Sequence, residues 1–460
     1  MALVLATSLP LLALLCAALW RGPFPIREVV GLFEDLSERS PWTYFAPETS
    51  YYRPLFHLVL SVIWNGAPST TMALSAVRLL HIVPVVTLVV LLVRAMRPRT
   101  AVDAAAAMVA VAVLIGAPGL LGNLEPPLSY TIVGMPAALF VWMLVEHEHR
   151  WWHGGAIVAA TLLAVGFKEQ GLVIVPLVIA AWWMGAPGVT RRTTATLTAL
   201  AVLFVFYRLG RNGADWPLFE QDVGFGFSSM SSTEAEARFG AFPLWIFAYS
   251  ALSTIANVLF TEPTDGVFRL VRGLKEGGLQ SWQVMYVASS LVLTALIAWW
   301  AVDAMRRART TGWSREARLV AVLAVVLAGC GALSFDYSRD RLGGMAVPFY
   351  ACAAYFGVRL AVTRAASASR PILVGAVAVL VLLAGAWQLR AVYTLEFTRQ
   401  RTVNSQREWI TDLLRRRAEA ETRPAYRRVL EAMAPQGTSP EGTTHRTEYP
   451  RWLYRLLGEY

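Results

Sequence analysis

Long apolar runs separated by short arginine-rich clusters are the feature that most restricts what this chain can become. A run of about 18 or more apolar residues crosses about 30 Å of hydrocarbon as a helix. In lipid, only helices and closed barrels satisfy every backbone N–H and C=O internally. The runs are too long and too continuously apolar for barrel strands, so the pattern predicts helices. Hydropathy places them near 2–20, 71–93, 101–117, 129–146, 155–167, 171–186, 194–209, 284–303, 318–335, 343–362 and 371–390. The expected fold is an all-α polytopic membrane protein, a bundle of about 11 transmembrane helices. Composition agrees: 16% of residues are charged, against about 25% in a soluble domain. Residues 1–20 carry no basic start and lead into a poor cleavage sequence, so this run is expected to be retained as a span rather than removed as a signal peptide.

The net charge of +10 is nearly all arginine. Its arginines cluster at the ends of apolar runs and in the C-terminal tail. No basic stripe interleaves with aromatics in a soluble module, so nucleic acid is not an expected partner. The clusters read instead as headgroup contacts and an orientation signal. Arg94, Arg97 and Arg99, then Arg150, then Arg191 and Arg192, then Arg306 to Arg318, then Arg364 and Arg370 occupy alternate loops. The loop at 118–128 has no basic residue. The arginine loops and the N-terminus are therefore expected in the cytoplasm. Segments 21–70, 168–171, 210–283 and 336–342 are expected on the outer face. For this parity to hold, 243–260 must be an interfacial or re-entrant helix. The chain divides into a membrane-embedded part, 1–390, and an outer tail, 391–460, with amphipathic helices expected in 404–433. That tail holds about a dozen arginines, but long segments cross largely regardless of charge.

Three constellations in the outer segments can carry chemistry. Glu34 and Asp35 are adjacent acids just beyond the first run. A carboxylate there can act as a general base toward a hydroxyl nucleophile or ligate a divalent cation, or simply be solvated. Tyr52 and Arg53 follow in "YYRPL", ahead of an expected surface helix. Lys168 and Glu169 lie in "GFKEQG" between two short apolar runs, where ionisable groups usually face a cavity or each other; a plain turn is the other reading. Arg339, Asp340 and Arg341 lie in "SFDYSRDRLGG". An arginine fork binds phosphate oxygens in pairs, although headgroup contact or an internal Arg–Asp pair explains it too. Cys16, Cys330 and Cys352 sit in apolar runs without metal spacing and read as small buried hydrophobes. No phosphate-binding glycine-rich loop occurs, which argues against a nucleotide-driven pump.

The order span, "FED", "YYRPL", "KEQG", then "DYSRDR" before a late span resembles the GT-C fold glycosyltransferases. Within that class it resembles bacterial relatives of the protein O-mannosyltransferases and the transmembrane–TPR O-mannosyltransferases. Residues 1–390 carry the resemblance; 391–460 show no 34-residue period. The late motif lacks the aromatic-rich pattern of those relatives. The resemblance implies an inverting transfer of a sugar from a polyprenyl-phosphate donor to an outer hydroxyl. It implies Asp35 as base with Glu34 assisting, and Arg339, Arg341 and Lys168 at the donor phosphate. Glu169, Arg53, Tyr52 and Asp340 would shape the site. Some members use a metal and others do not, so magnesium or manganese stays open. The acceptor, whether protein, envelope glycan or lipid, is not specified. Arginine- and alanine-rich usage with compact loops points to a bacterial inner membrane with the site facing the periplasm. A lipid-linked glycan transporter and a non-catalytic scaffold are the alternatives. A transporter predicts charges inside spans, for which Arg78 and His81 are the main candidates.

Overall fold

The computed structural model describes residues 2–22, 32, 36, 40–45, 53–68, 70–124, 130–211, 223–225, 228–230, 232–239, 244–260, 267–335, 337–338 and 340–415. Each of the eleven apolar runs is helical. In chain order the helices are α1 (Ala2–Arg21), α2 (Pro54–Gly66), α3 (Thr70–Met96), α4 (Ala101–Gly116), α5 (Pro118–Leu121), α6 (Gly134–Val145), α7 (His153–Phe167), α8 (Ile174–Trp183) and α9 (Arg191–Arg211). They continue as α10 (Ser232–Phe239), α11 (Leu244–Leu259), α12 (Val267–Glu276), α13 (Ser281–Thr311), α14 (Arg315–Ala332), α15 (Val347–Ala368) and α16 (Arg370–Arg415). Short 3₁₀ turns occupy Pro41–Phe45, Tyr130–Ile132, Glu169–Val173 and Asp340–Ala346.

Among the described residues, four helices are long and apolar enough to cross a membrane, where hydropathy leads one to expect about eleven. They are α3, α13, α15 (with the turn before it) and α16. Seven further apolar helices have 10–17 residues. The difference has a local cause. A helix rises about 1.5 Å per residue, so the 16 residues of α4 fall short of the hydrocarbon thickness. Pro118 restarts the chain as α5, and the polar turn at 169–173 separates α7 from α8. The architecture is mostly helical and consistent with a multi-spanning α-helical membrane protein.

Burial ranks the helices. Val347–Val358 of α15 are buried without interruption, which marks a helix surrounded on all sides. It packs on α4, α13, α14 and α16. Peripheral α16 instead exposes Ile372, Val374, Val377, Val379, Val381 and Leu382, an apolar face of the kind that lipid covers. Close approach of α4 and α16 depends on Gly116, where a Cβ would sit 2.3 Å from the Trp387 carbonyl oxygen.

The expectation of an all-α chain needs correction. Strands β1 (Val223–Phe225), β2 (Ser228–Met230) and β3 (Tyr337–Ser338) form a small sheet in the order β2–β1–β3. Backbone groups of two irregular segments satisfy one another there. The pairing of Gly224 with Tyr337 and Phe225 with Ser338 pins part of the 210–283 loop onto the third motif. Helix α11, which covers the ambiguous segment 243–260, packs on α14, β3 and the 340–346 turn. Helix α16 does not stop near residue 390 but continues to Arg415.

Candidate functional site

The bundle has two chemically different ends. At one, the arginine loops meet. Arg318 makes two bonds to Glu146, at 2.7 and 2.8 Å. Arg359 pairs with Asp103 at 2.8 Å, and Arg97 donates to His147 Nε2 at 2.9 Å. Arg315 donates to the Ala95 carbonyl. Helix starts are capped at this end as well. Thr100 Oγ1 accepts from Asp103 N, and Asp103 Oδ2 accepts from Thr100 N; Ser314 Oγ accepts from Ala317 N. These caps supply partners to N–H groups that a helix start leaves open.

At the other end, described parts of the three motifs come together. The carbonyl of Arg53, the residue before α2, accepts from His57 N at 3.1 Å and from His57 Nδ1 at 2.8 Å. The His57 ring stacks on Tyr44 at 4.4 Å, which ties the 41–45 turn, between α1 and α2, to α2. One residue along α2, Phe56 meets Phe167 edge-on at 6.2 Å. Phe167 is the last residue of α7, so the first turn of α2 packs against the end of the helix that leads into the Lys168 turn. Gln170 in that turn is buried and accepts from Thr131 Oγ1 at 2.9 Å. Its Nε2 donates to the Leu342 carbonyl at 3.3 Å. Asn123 is also buried and donates to the Gly119 and Arg341 carbonyls at 2.7 and 2.8 Å. Gly344 permits this approach, because a Cβ there would lie 2.8 Å from Asn123 Nδ2 and 3.0 Å from the Gly119 oxygen.

Thus the described parts of "YYRPL", "KEQG" and "SRDRLGG", more than a hundred residues apart in the chain, share one end of the bundle. Arg53 is buried, while Lys168, Glu169 and Arg341 are half-buried. For Asp340 the backbone is described as the start of a 3₁₀ turn. Glu34, Asp35, Tyr52 and Arg339 lie outside the described residues. Leu36, directly after the acid pair, is buried. Among the described residues no group of three His, Cys, Asp or Glu side chains is arranged to hold a metal ion. An apolar groove of about 340 Å³ opens at this end between α1, the turn after α5 and α16. Leu14, Leu121, Leu124 and Leu395 line it, with Arg21 at its edge.

Motif reading alone missed Gln170, Thr131 and Asn123. Gln170 stood inside a motif chosen for its charges, and an amide beside two apolar runs was the available signal. Asn123 lies in a loop noted only for its lack of basic residues. The two ionisable residues within the second run bond to backbone carbonyls. Arg78 donates to the Gly22 carbonyl at 2.9 Å, and His81 Nδ1 to the Val77 carbonyl at 2.7 Å. Arg78 therefore anchors the chain where it leaves α1.

Comparison with protein-family models, with curated proteins and with solved structures finds no match for this chain.

Proposed function

We propose that the chain is an inverting glycosyltransferase of GT-C type, moving a sugar from a polyprenyl-phosphate donor to an acceptor hydroxyl. The supporting observation is the meeting of the Arg53, Lys168–Gln170 and Arg341–Gly344 segments at the end opposite the arginine loops. A cationic, half-buried end beside an apolar groove suits a donor with a phosphate head and a hydrocarbon tail. In the reaction, the acceptor oxygen attacks the anomeric carbon and its proton passes to Asp35, with Glu34 beside it. The bond between the anomeric carbon and the phosphate oxygen breaks, and polyprenyl phosphate leaves. Attack from the opposite face inverts the centre. Arg341, Arg339 and Lys168 offset the charge that grows on the leaving phosphate. Glu169, Asp340, Tyr52 and Arg53 hold the loops that shape the site. A divalent cation is compatible with this scheme and not required by it.

In this reading the shorter apolar helices cross the bilayer too, giving about eleven spans, with their polar turns buried in protein rather than exposed to lipid. Residues 1–390 form the transferase domain and 391–460 the outer tail. The arginine end faces the cytoplasm of a bacterial cell, and the site faces the periplasm across the inner membrane. The test is transfer of radiolabelled sugar from a panel of synthetic polyprenyl-phosphate donors to membrane extract. Purified wild type and Asp35→Asn are compared, with folding checked. Loss of a base contributes about 10²–10⁴-fold, so transfer should collapse in the variant. Equal transfer by both moves the base elsewhere. No transfer with any donor, together with tight binding of a lipid-linked glycan, favours the transporter instead.

A further inference from the structure

The arginine end contains a second built feature, a cleft of about 350 Å³ between α13, α14 and α15. Its floor is aromatic: Trp300 stacks on Phe356 with centroids 5.3 Å apart and planes 11° from parallel. Three arginines line it. Arg307 bonds to Asp303 at 3.0 Å and to Glu316 at 2.7 Å, and Arg359 is held by Asp103 at 2.8 Å. Arg364 is 64% exposed and comes no closer to Asp303 than 3.8 Å, beyond hydrogen-bond reach. A guanidinium carries five N–H donors and a carboxylate engages two of them in the bidentate pair. The acids therefore aim Arg307 and Arg359 and leave donors available, while Arg364 stands ready at the side. The wider field is positive. Segments 94–103, 146–150, 191–192, 303–318 and 359–370 hold fourteen arginines against five carboxylates.

We propose that this cleft binds the phosphate headgroup of an anionic phospholipid. Two observations favour a lipid over a free anion. The cleft lies where the apolar part of α13 ends, so it stands at headgroup depth for a chain inserted through that helix. Beside it, Trp299 and Val302 of α13 are exposed and offer apolar surface to an acyl chain. The site is at the far end from the proposed sugar-transfer site and does not depend on that reading.

Native mass spectrometry of the full chain tests it, with phosphatidylglycerol, phosphatidylcholine and soluble glycerol phosphate as probes. Wild type should retain one phosphatidylglycerol in preference to phosphatidylcholine. Arg364→Ala, at an exposed position, should weaken that retention about five- to tenfold. Arg191→Ala, at the same end but outside the cleft, should leave it within about twofold. Equal loss in both variants would mean only diffuse attraction and would overturn the site. So would the absence of a preference for phosphatidylglycerol. Glycerol phosphate competing as well as the lipid would replace the lipid headgroup with a free phosphate as ligand.

Discussion

His147 lies in the short connection between α6 and α7 and accepts a hydrogen bond from Arg97, which only an unprotonated ring nitrogen can do. Burial, then the nearby charges of Arg97, Arg315 and Arg150, lower its pKa from the ordinary 6.5. The folded state thus favours the neutral ring. The stabilisation this gives is present above the unfolded value and is lost as pH falls through the lower folded one. A histidine NMR titration should place the His147 midpoint below 6.5; a midpoint at or above it would contradict this environment. Glu146, next in the chain, is 2% exposed and holds Arg318 at 13%. Glu146→Ala should cost up to about 3–5 kcal/mol by leaving the mostly buried Arg318 without its carboxylate, and Glu146→Leu with Arg318→Met should recover most of it. Thermal unfolding in detergent reads both; equal loss in the single and double variants would show that the pair is not what holds α6 to α14. Arginine clustering made this end legible in the sequence. The Gln170 network was not legible, because its hydrogen-bond partner Leu342 lies 172 positions away and a turn sequence does not specify what it touches.

At the scale of elements, hydropathy located every apolar run but stopped several of them short, the last by the most. It ends the last helix at Arg390, because charge and amphipathic character begin there. Helix continuation depends on the backbone as well. No glycine or proline occurs between Gly385 and Pro424, so nothing in that stretch breaks a helix. Arg390 is itself wholly buried. It donates to Tyr286 O, Ser289 Oγ and Ser290 Oγ at 3.2, 3.0 and 2.7 Å, and its guanidinium lies 3.6 Å from the Trp387 ring centroid. This cage fastens α16 to α13 at the point beyond which α16 runs on to Arg415. Spin labels at Gly375→Cys and Asn404→Cys should stand roughly 44 Å apart along one continuous helix; a broad or much shorter distance would indicate a break. Gly116→Val should separate α4 from α16 and destabilise by more than about 1–3 kcal/mol, because the obstacle is backbone rather than a movable side chain. Unchanged thermal stability would contradict that close contact.

For the whole molecule, the alternation of arginine-rich and arginine-poor loops indicated two ends. The Arg318–Glu146 and Arg359–Asp103 ion pairs and the hydrogen bonds of Arg97 and Arg315 occur together at one of them. The meeting of three distant motifs at the other end was an expectation from their parity. Parity assigns a side but no distances, so the Gln170 and Asn123 links and the β1–β3 pairing were beyond it. If the arginine end is cytoplasmic, Thr310→Cys should label only after the membrane is permeabilised and Arg341→Cys should label from outside. The reverse pattern would invert the assignment.

The most direct test of a shared donor site is photocrosslinking with a polyprenyl-phosphate sugar that carries its reactive group on the head, followed by mapping of the adducts. Adducts within 53–56, 168–171 and 341–344 are predicted, because those segments are neighbours at one end of the bundle. Adducts confined to 303–316 and 359–364 would contradict the account, placing the donor at the arginine end instead.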